Sequence, residues 1–263
     1  AGATALLLQP DGKIIATGFA LDGGFWKPSL VRFKADGSLD TDFGTSGKVI
    51  ISTKTGDEGG VFTLLPDGKI VMLGNGTSTL AMVRLNADGS YDTSFDADGK
   101  ATFNIPSSGN EAALWSLSLQ PDGKLVVAGS VYNGTNWDAV TFRVLATGGL
   151  DTSFNSTGKV LTTWGNGDDF GQSVTVQADG KILIAGYTRS GTTAAAPTYE
   201  GKYNVSALTG TDFALVRLNA NGAIDTTFGS NGKVVVPFGT GVDYAYSVTV
   251  QIDGKIVLTG SSS

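Results

Sequence analysis

Neither cysteine nor histidine occurs anywhere in the 263 residues. Without cysteine there is no disulfide, no thiolate nucleophile and no sulfur-ligated metal. Without histidine the commonest general base is missing, and with it the Ser-His-Asp triad and most zinc chemistry. Any catalysis would rest on carboxylates, Lys, Tyr or an oxygen-ligated metal. Charge is sparse as well: 16% of residues are charged, the net charge is −6, and no basic cluster occurs, which argues against a nucleic-acid partner. The longest apolar runs, such as Ala5–Leu8 and Val234–Val236, are far too short to cross a bilayer, so no membrane span is expected. The first residue is Ala and no signal peptide precedes it, which leads us to expect a processed N-terminus or a piece of something longer. What is abundant is glycine, 38 residues, beside 41% hydrophobic residues that suffice for a core.

The chain repeats itself. An Asp-Gly-Lys signal recurs at Asp11, Asp67, Asp122, Asp179 and Asp253, with spacings of 56, 55, 57 and 74. A second signal interleaves with it four times: VRFKADGSLDTDFGTSGKV, VRLNADGSYDTSFDADGKA, FRVLATGGLDTSFNSTGKV and VRLNANGAIDTTFGSNGKV. Its internal spacing is constant. Arg32, Arg84, Arg143 and Arg217 each stand eight residues before Asp40, Asp92, Asp151 and Asp225, and Phe43, Phe95, Phe154 and Phe228 follow three residues later.

The hydrophobic period is two. SLSLQPDGKLVVAG and SVTVQADGKILIAG alternate, turn at Asp-Gly and run on as apolar strands, which is hairpin patterning. FALVRL supplies a third strand and GKVVVPF a fourth. No stretch has a 3.6-residue apolar stripe. Four short strands per repeat, repeated, are the mark of propeller blades. The fold class is therefore all-β: a β-propeller of four-stranded antiparallel blades, with four complete repeats plus a half blade. Repeats run over about 1–55, 56–108, 109–165 and 166–240, and the half repeat over 241–263, with an insertion loop at 187–212. Eighteen strands leave the last blade half made, so we expect a segment of a larger ring, or a half blade completed by another chain.

These two signals together resemble the delta-60 repeat family of bacterial β-propeller-like proteins, over nearly the whole chain outside the insertion. The resemblance implies a repeat-built, exported or cell-surface bacterial protein and supplies no catalytic residues. The third repeat departs modestly, with Thr147-Gly148-Gly149 where the others carry Asp-Gly or Asn-Gly.

The recurring charges read as scaffold, because a residue present in every blade does a job each blade needs. Arg32, Arg84, Arg143 and Arg217 are expected to form ion pairs or turn caps with Asp40, Asp92, Asp151 and Asp225. Phe43, Phe95, Phe154 and Phe228 are expected to plug the space between blades. Non-repeating features hold more interest. Acidic residues precede the first strand of each later blade: Asp57, Glu111, Asp169 and Asp243. A ring of these at one mouth of a central channel would offer oxygen ligands, and Ca²⁺ is the cofactor that would fit. The loop between strand-end glycine and arginine is 14, 10 and 14 residues in the first three repeats and 31 in the fourth. Long loops often carry function. Tyr199 and Tyr203 in it, with Trp26, Tyr132 and Trp137 in the equivalent loops, could line a rim that meets sugars or protein; the alternative is that Trp26 and Trp137 pack between blades.

The expectation is a non-catalytic binding or structural module that works by contact with other protein chains or surface glycans, including a homo-oligomer formed through the edge strand near Ile256–Thr259. Two other readings stand beside it: a calcium-dependent hydrolase or lyase acting on polysaccharide or lactone, and a filament or spacer subunit.

Overall fold

A computed structural model describes residues 2–52, 60–75, 79–104, 112–189, 210–239 and 241–263. The described chain is β structure apart from one 3₁₀ turn at Phe154–Ser156. The first sheet holds β1 (Gly2–Leu8), β2 (Ile14–Asp22), β3 (Phe25–Phe33) and β4 (Lys48–Ile50). The second holds β5 (Gly60–Leu64), β6 (Ile70–Asn75), β7 (Thr79–Leu85) and β8 (Lys100–Asn104). The third holds β9 (Ala112–Leu119), β10 (Leu125–Tyr132), β11 (Trp137–Val144) and β12 (Lys159–Thr162). The fourth holds β13 (Asp169–Val176), β14 (Ile182–Arg189), β15 (Thr211–Leu218) and β16 (Lys233–Val236). A two-stranded sheet of β17 (Asp243–Val250) and β18 (Ile256–Ser262) follows. Within each sheet the strands lie in chain order and every neighbouring pair is antiparallel, the arrangement of propeller blades.

The chemistry of the first hairpin in each sheet is local. Gly12, Gly68, Gly123, Gly180 and Gly254 sit at φ near +82°, which a side chain would strain, and the preceding Asp carboxylate accepts the N–H of the following Lys at 3.1–3.2 Å.

The chain forms two compact units, Ala1–Asn104 with Thr147–Gly149, and Ile105–Ala146 with Leu150–Ser263. The first unit has a core of Ile15, Leu30, Phe43, Val49, Ile51, Ile70, Met72, Val83 and Leu85. In the second unit the core of Val126, Ala128, Phe154, Val160, Val174, Ile182, Ile184, Val216 and Leu218 uses many of the same repeat positions. Strand alternation sends Ile182 and Ile184 into that core and Leu183 and Ala185 to the opposite face, against Val248 of β17. Each sheet of this kind is apolar on both faces.

The outer half of each blade is held by one recurring assembly. Arg Nε meets Asp Oδ2 at 2.7–2.8 Å in all four repeats. The hairpin Lys (Lys13, Lys69, Lys124 or Lys181) reaches the same oxygen at 3.0–3.3 Å. The guanidinium carbon lies 4.4–4.6 Å over the Phe ring. Phe43, Phe95 and Phe154 are completely buried. Phe43 and Phe154 each plug against the hairpin between the third and fourth strands of the next sheet: a Cβ placed on Gly89 would come 2.9 Å from the Phe43 ring, and one on Gly222 2.9 Å from the Phe154 ring. Backbone bonds seal the junction, from Gly44 N–H to Asp88 O at 2.8 Å, Asp96 N–H to Thr147 O at 2.8 Å and Asn155 N–H to Asn221 O at 2.7 Å. Arg32 and Arg143 also donate through Nη1 to the carbonyls of Ala87 and Ala220 in the following hairpin.

Phe154→Ala is expected to cost about 3–5 kcal/mol in urea unfolding, the range for deleting a buried aromatic. Phe228→Ala, at the only half-buried member of the set, should cost less than half as much. Equal losses would mean that the plug is not what stabilises the junction.

Candidate functional site

The aromatic candidates separate when placed on the structure. Trp26 lies at the start of β3 and is 46% exposed, beside Phe25 at 69%. Trp137 is 1% exposed, which corrects the expectation that it lines a rim. Its indole is instead the second rung of an aromatic ladder in the second unit. The ladder runs Tyr132 to Trp137 (5.9 Å), Trp137 to Phe170 (5.7 Å), Phe170 to Tyr187 (4.8 Å), Tyr187 to Tyr244 (4.6 Å) and Tyr244 to Tyr246 (6.1 Å). It crosses from the third sheet through the fourth to β17 and ends at Tyr246, which is 54% exposed. Offset and edge geometry at these separations adds to the burial of each ring. Phe170 and Tyr244 carry a signal that the sequence analysis did not use, an aromatic directly after Asp169 or Asp243 and four residues before the first Val of SVTVQ. Tyr199 and Tyr203, with most of the 187–212 insertion, lie outside the described residues.

The acidic candidates separate too. Asp57 and Glu111 lie outside the described residues. Asp169 and Asp243 are fully buried at the starts of β13 and β17. Among the described residues no group of three acidic side chains gathers as a metal site would need. Asp243 is partly spent on structure: its Oδ2 accepts the Phe238 N–H at 2.9 Å, and its N–H and carbonyl both bond the Thr211 hydroxyl, at 2.9 and 3.0 Å.

Asp168 and Asp169 are neighbours in sequence with opposite fates. Asp168 Oδ1 accepts the Trp137 N–H at 3.1 Å, and its Oδ2 lies 3.6 Å from Arg189 Nη1. Neither carboxylate oxygen of Asp169 has a hydrogen bond of good geometry; the Thr188 hydroxyl and the N–H groups of Trp164 and Gly165 lie near without reaching it. Burial pushes the Asp169 carboxyl up to about 6, and the nearby Asp138 carboxylate adds to the rise. The same device recurs one repeat on, where burial and then Asp243 raise Asp212. A carboxyl near 6 has the acidity of a general acid or base. With no solvent-accessible surface, however, Asp169 meets no substrate in this geometry.

The repeated carboxylates behave in the opposite way. For Asp151 burial alone would raise the pKa, but hydrogen bonds from Ser153, the Lys124 ammonium and the Arg143 guanidinium outweigh it and hold the group at about 2. Two of the repeated arginines lie in each unit. A groove of about 650 Å³ in the first unit is lined by residues including Asp42, Lys48, Asp88 and Tyr91, without any of them.

The most open feature is the final hairpin. In the four complete sheets the second strand is bonded on both sides; among the described residues β18 is bonded to β17 alone. Lys255, the fifth hairpin lysine, is 75% exposed and turns back to its own Asp253 at 2.6 Å, where its four counterparts are 28–32% exposed.

A sequence model of a beta-propeller family, described as a domain of unknown function (DUF5122), matches residues 9–43, 65–95, 120–154, 177–196 and 201–228. No curated protein matches the sequence. Similar solved structures include MPT-4, a mannose phosphorylase from Leishmania mexicana, at 11% identity and a TM-score of 0.41, covering 98% of this chain and 78% of that one. A candidate glycoside hydrolase from Bacteroides ovatus follows at 10% identity and 0.36, covering 93% and 78%. Another from Parabacteroides distasonis stands at 12% and 0.35, covering 98% and 85%. Likeness this distant transfers no chemistry to this chain. It does correct the expectation of a chain without catalysis: similar structures include a phosphorylase and candidate hydrolases, so that expectation is withdrawn.

The acidity of Asp169 gives a signed prediction. From about pH 4 to 6 its carboxyl is protonated when folded and ionised when unfolded. Its stabilisation is therefore fully present below about pH 4 and is lost as pH rises through 6, a difference of at most about 3 kcal/mol. Asp151 has the reverse sign, stabilising above about pH 4 and losing that effect as pH falls toward 2. Unfolding midpoints of Asp169→Asn are expected to be flatter than wild type between pH 4 and 7. Parallel profiles would mean that the folded chain holds Asp169 ionised, satisfied by Thr188 and the nearby amides despite Asp138, Asp168 and Arg189 around it.

Proposed function

The chain belongs to the DUF5122 beta-propeller family, and on that footing we propose that it is a binding and structural repeat module of a secreted or cell-surface bacterial protein, working through contact with other protein chains. The observation that carries this reading is the edge of β18. A strand bonded on one side presents a row of N–H and C=O groups to which another strand can add. Ile256, Val257 and Leu258 on that strand are half-buried and leave part of their apolar surface for a partner. The delta-60-like repeat signals support the cellular setting. Exposed apolar residues on the first sheet, Leu6 and Leu8 at 70%, add a second surface of the same character.

Sedimentation across a range of concentrations tests the reading. The 263-residue chain is expected to self-associate, and Thr259→Lys, which sets a charge on the exposed edge, is expected to weaken that association. A chain that remains monomeric at high concentration overturns the reading.

A further inference from the structure

The hairpin between β2 and β3 has an internal control in the hairpin between β10 and β11. Trp26 stands six residues before Arg32, as Trp137 stands six before Arg143. Each tryptophan pairs across the ladder with a large residue of the preceding strand, Trp26 with Leu21 and Trp137 with Tyr132. The tips between them differ. In the third sheet the tip is Asn133-Gly134-Thr135-Asn136, and Asn136 Nδ2 donates to the Gly167 carbonyl at 2.5 Å. In the first sheet it is Asp22-Gly23-Gly24-Phe25. Trp137 is sealed, whereas Leu21, Phe25 and Trp26 are 61%, 69% and 46% exposed.

Strand alternation puts these apolar side chains on both faces of the hairpin. Leu21 and Trp26 share the face of Ile15 and Leu30, which point into the core of the first unit. Phe25 lies on the opposite face, across from Asp22. The turn stands in open space: Gly23 and Gly24 have φ of +60° and +86°, and a Cβ on either would meet nothing within 4 Å. The ladder to β4 ends at Ser29 and Ile50, with one more bond from the Ile51 N–H to Pro28 O at 2.9 Å, so the tip lies beyond it. The Asp22 carboxylate beside Phe25 would resist entry into an apolar phase, but Lys27 Nζ donates to its Oδ2 at 2.5 Å and cancels the charge.

We propose that this tip, Leu21, Phe25 and Trp26 around the Gly23-Gly24 turn, is a lipid anchor that enters the interface of a phospholipid bilayer. The two apolar faces favour lipid over other occupants. A sugar ring or a flat protein partner covers one face at a time, while a fluid apolar layer surrounds a tip and buries both. The backbone of the tip is already paired within the hairpin, Leu21 with Trp26 and Asp22 with Phe25, as an apolar layer requires. Tryptophan suits the headgroup level, where its ring meets hydrocarbon and its N–H meets water. From the Asp22–Phe25 rung back to Lys27 is two residues, about 7 Å along a strand, within the ~5–10 Å to which interfacial apolar segments sink. The anchor is separate from the β18 edge and goes beyond the contact reading above.

The probe is a vesicle of phosphatidylcholine, mixed with the 263-residue chain and sedimented. Cosedimentation is expected, and replacing part of the lipid with phosphatidylglycerol should not strengthen it, because the chain carries a net charge of −6. Leu21→Ser together with Phe25→Ser is expected to cut partitioning at least about tenfold, with the thermal midpoint unchanged because both side chains are already exposed. Ile252→Ser, at an exposed apolar residue outside the tip, should leave partitioning as it is. The charge pair separates lipid from sugar. Lys27→Ala strands the Asp22 charge and is expected to weaken vesicle binding, whereas Asp22→Asn should preserve or strengthen it; a sugar site that used the carboxylate would be weakened by Asp22→Asn. Brominated lipid should quench a share of the tryptophan emission that Trp26→Phe removes, a readout on the unaltered tip should the double variant misfold. Absence of cosedimentation overturns the proposal, as does cosedimentation indifferent to Leu21, Phe25 and bromine. Retention on a polysaccharide or a soluble protein that Phe25→Ser abolishes, with vesicles left unbound, overturns it as well.

Discussion

One buried carboxylate per blade organises the outer half of this molecule. Asp40, Asp92, Asp151 and Asp225 are 1–5% exposed, and a lone ionised carboxylate in such a place would cost several kcal/mol. Each is offset by an Arg from the third strand of its sheet and a Lys from the first hairpin, and in the last three repeats by the hydroxyl and N–H of the residue two positions on. Three separate parts of a blade are thus tied to one pair of oxygens. The same arginine covers the phenylalanine that enters the next hairpin. Removing any partner leaves a charge that the remaining ones do not fully satisfy, which explains why spacing through this segment tolerates no insertion in four copies.

Inner and outer halves of a blade junction use different physics. Outside, the ionic latch and the Phe plug work at fixed repeat positions. Inside, first strands are joined by single hydroxyls: Ser116 Oγ accepts the Val174 N–H at 3.1 Å and Ser173 Oγ the Val248 N–H at 3.2 Å. With no repeated ionic latch to hold them, the inner ends vary. Trp137 of the third repeat stands where the fourth has Thr211, and the indole feeds an aromatic ladder while the hydroxyl ties down Asp243.

Much of the architecture was legible in the sequence because it rests on local rules. Asp-Gly turns, period-two alternation and a repeated Arg–Asp–Phe spacing each have a short-range cause, and the four-stranded sheets follow from them. The inner ends were illegible for an equally physical reason. Asp169 read as one of a set of acidic residues at strand starts, but its carboxyl is buried beside Asp138 with the Thr188 hydroxyl near, while its neighbour Asp168 faces Arg189. Trp137 looked free because a loop flanks it; its burial depends on Phe170 and Tyr187, two aromatics from another repeat that share no common spacing with it. The absence of histidine narrows the possible chemistry without deciding whether there is any.

The final hairpin shows that the two halves of a junction are separable. An isolated two-stranded sheet is marginal in water, yet β17 and β18 are seated, through the Ser173 bond, the Thr211–Asp243 pair and the packing of Leu183, Ala185 and Leu215 on Val248. All of these are inner contacts. Apolar packing and single hydroxyl bonds therefore hold a hairpin at the inner end of a junction without the ionic latch of the outer half.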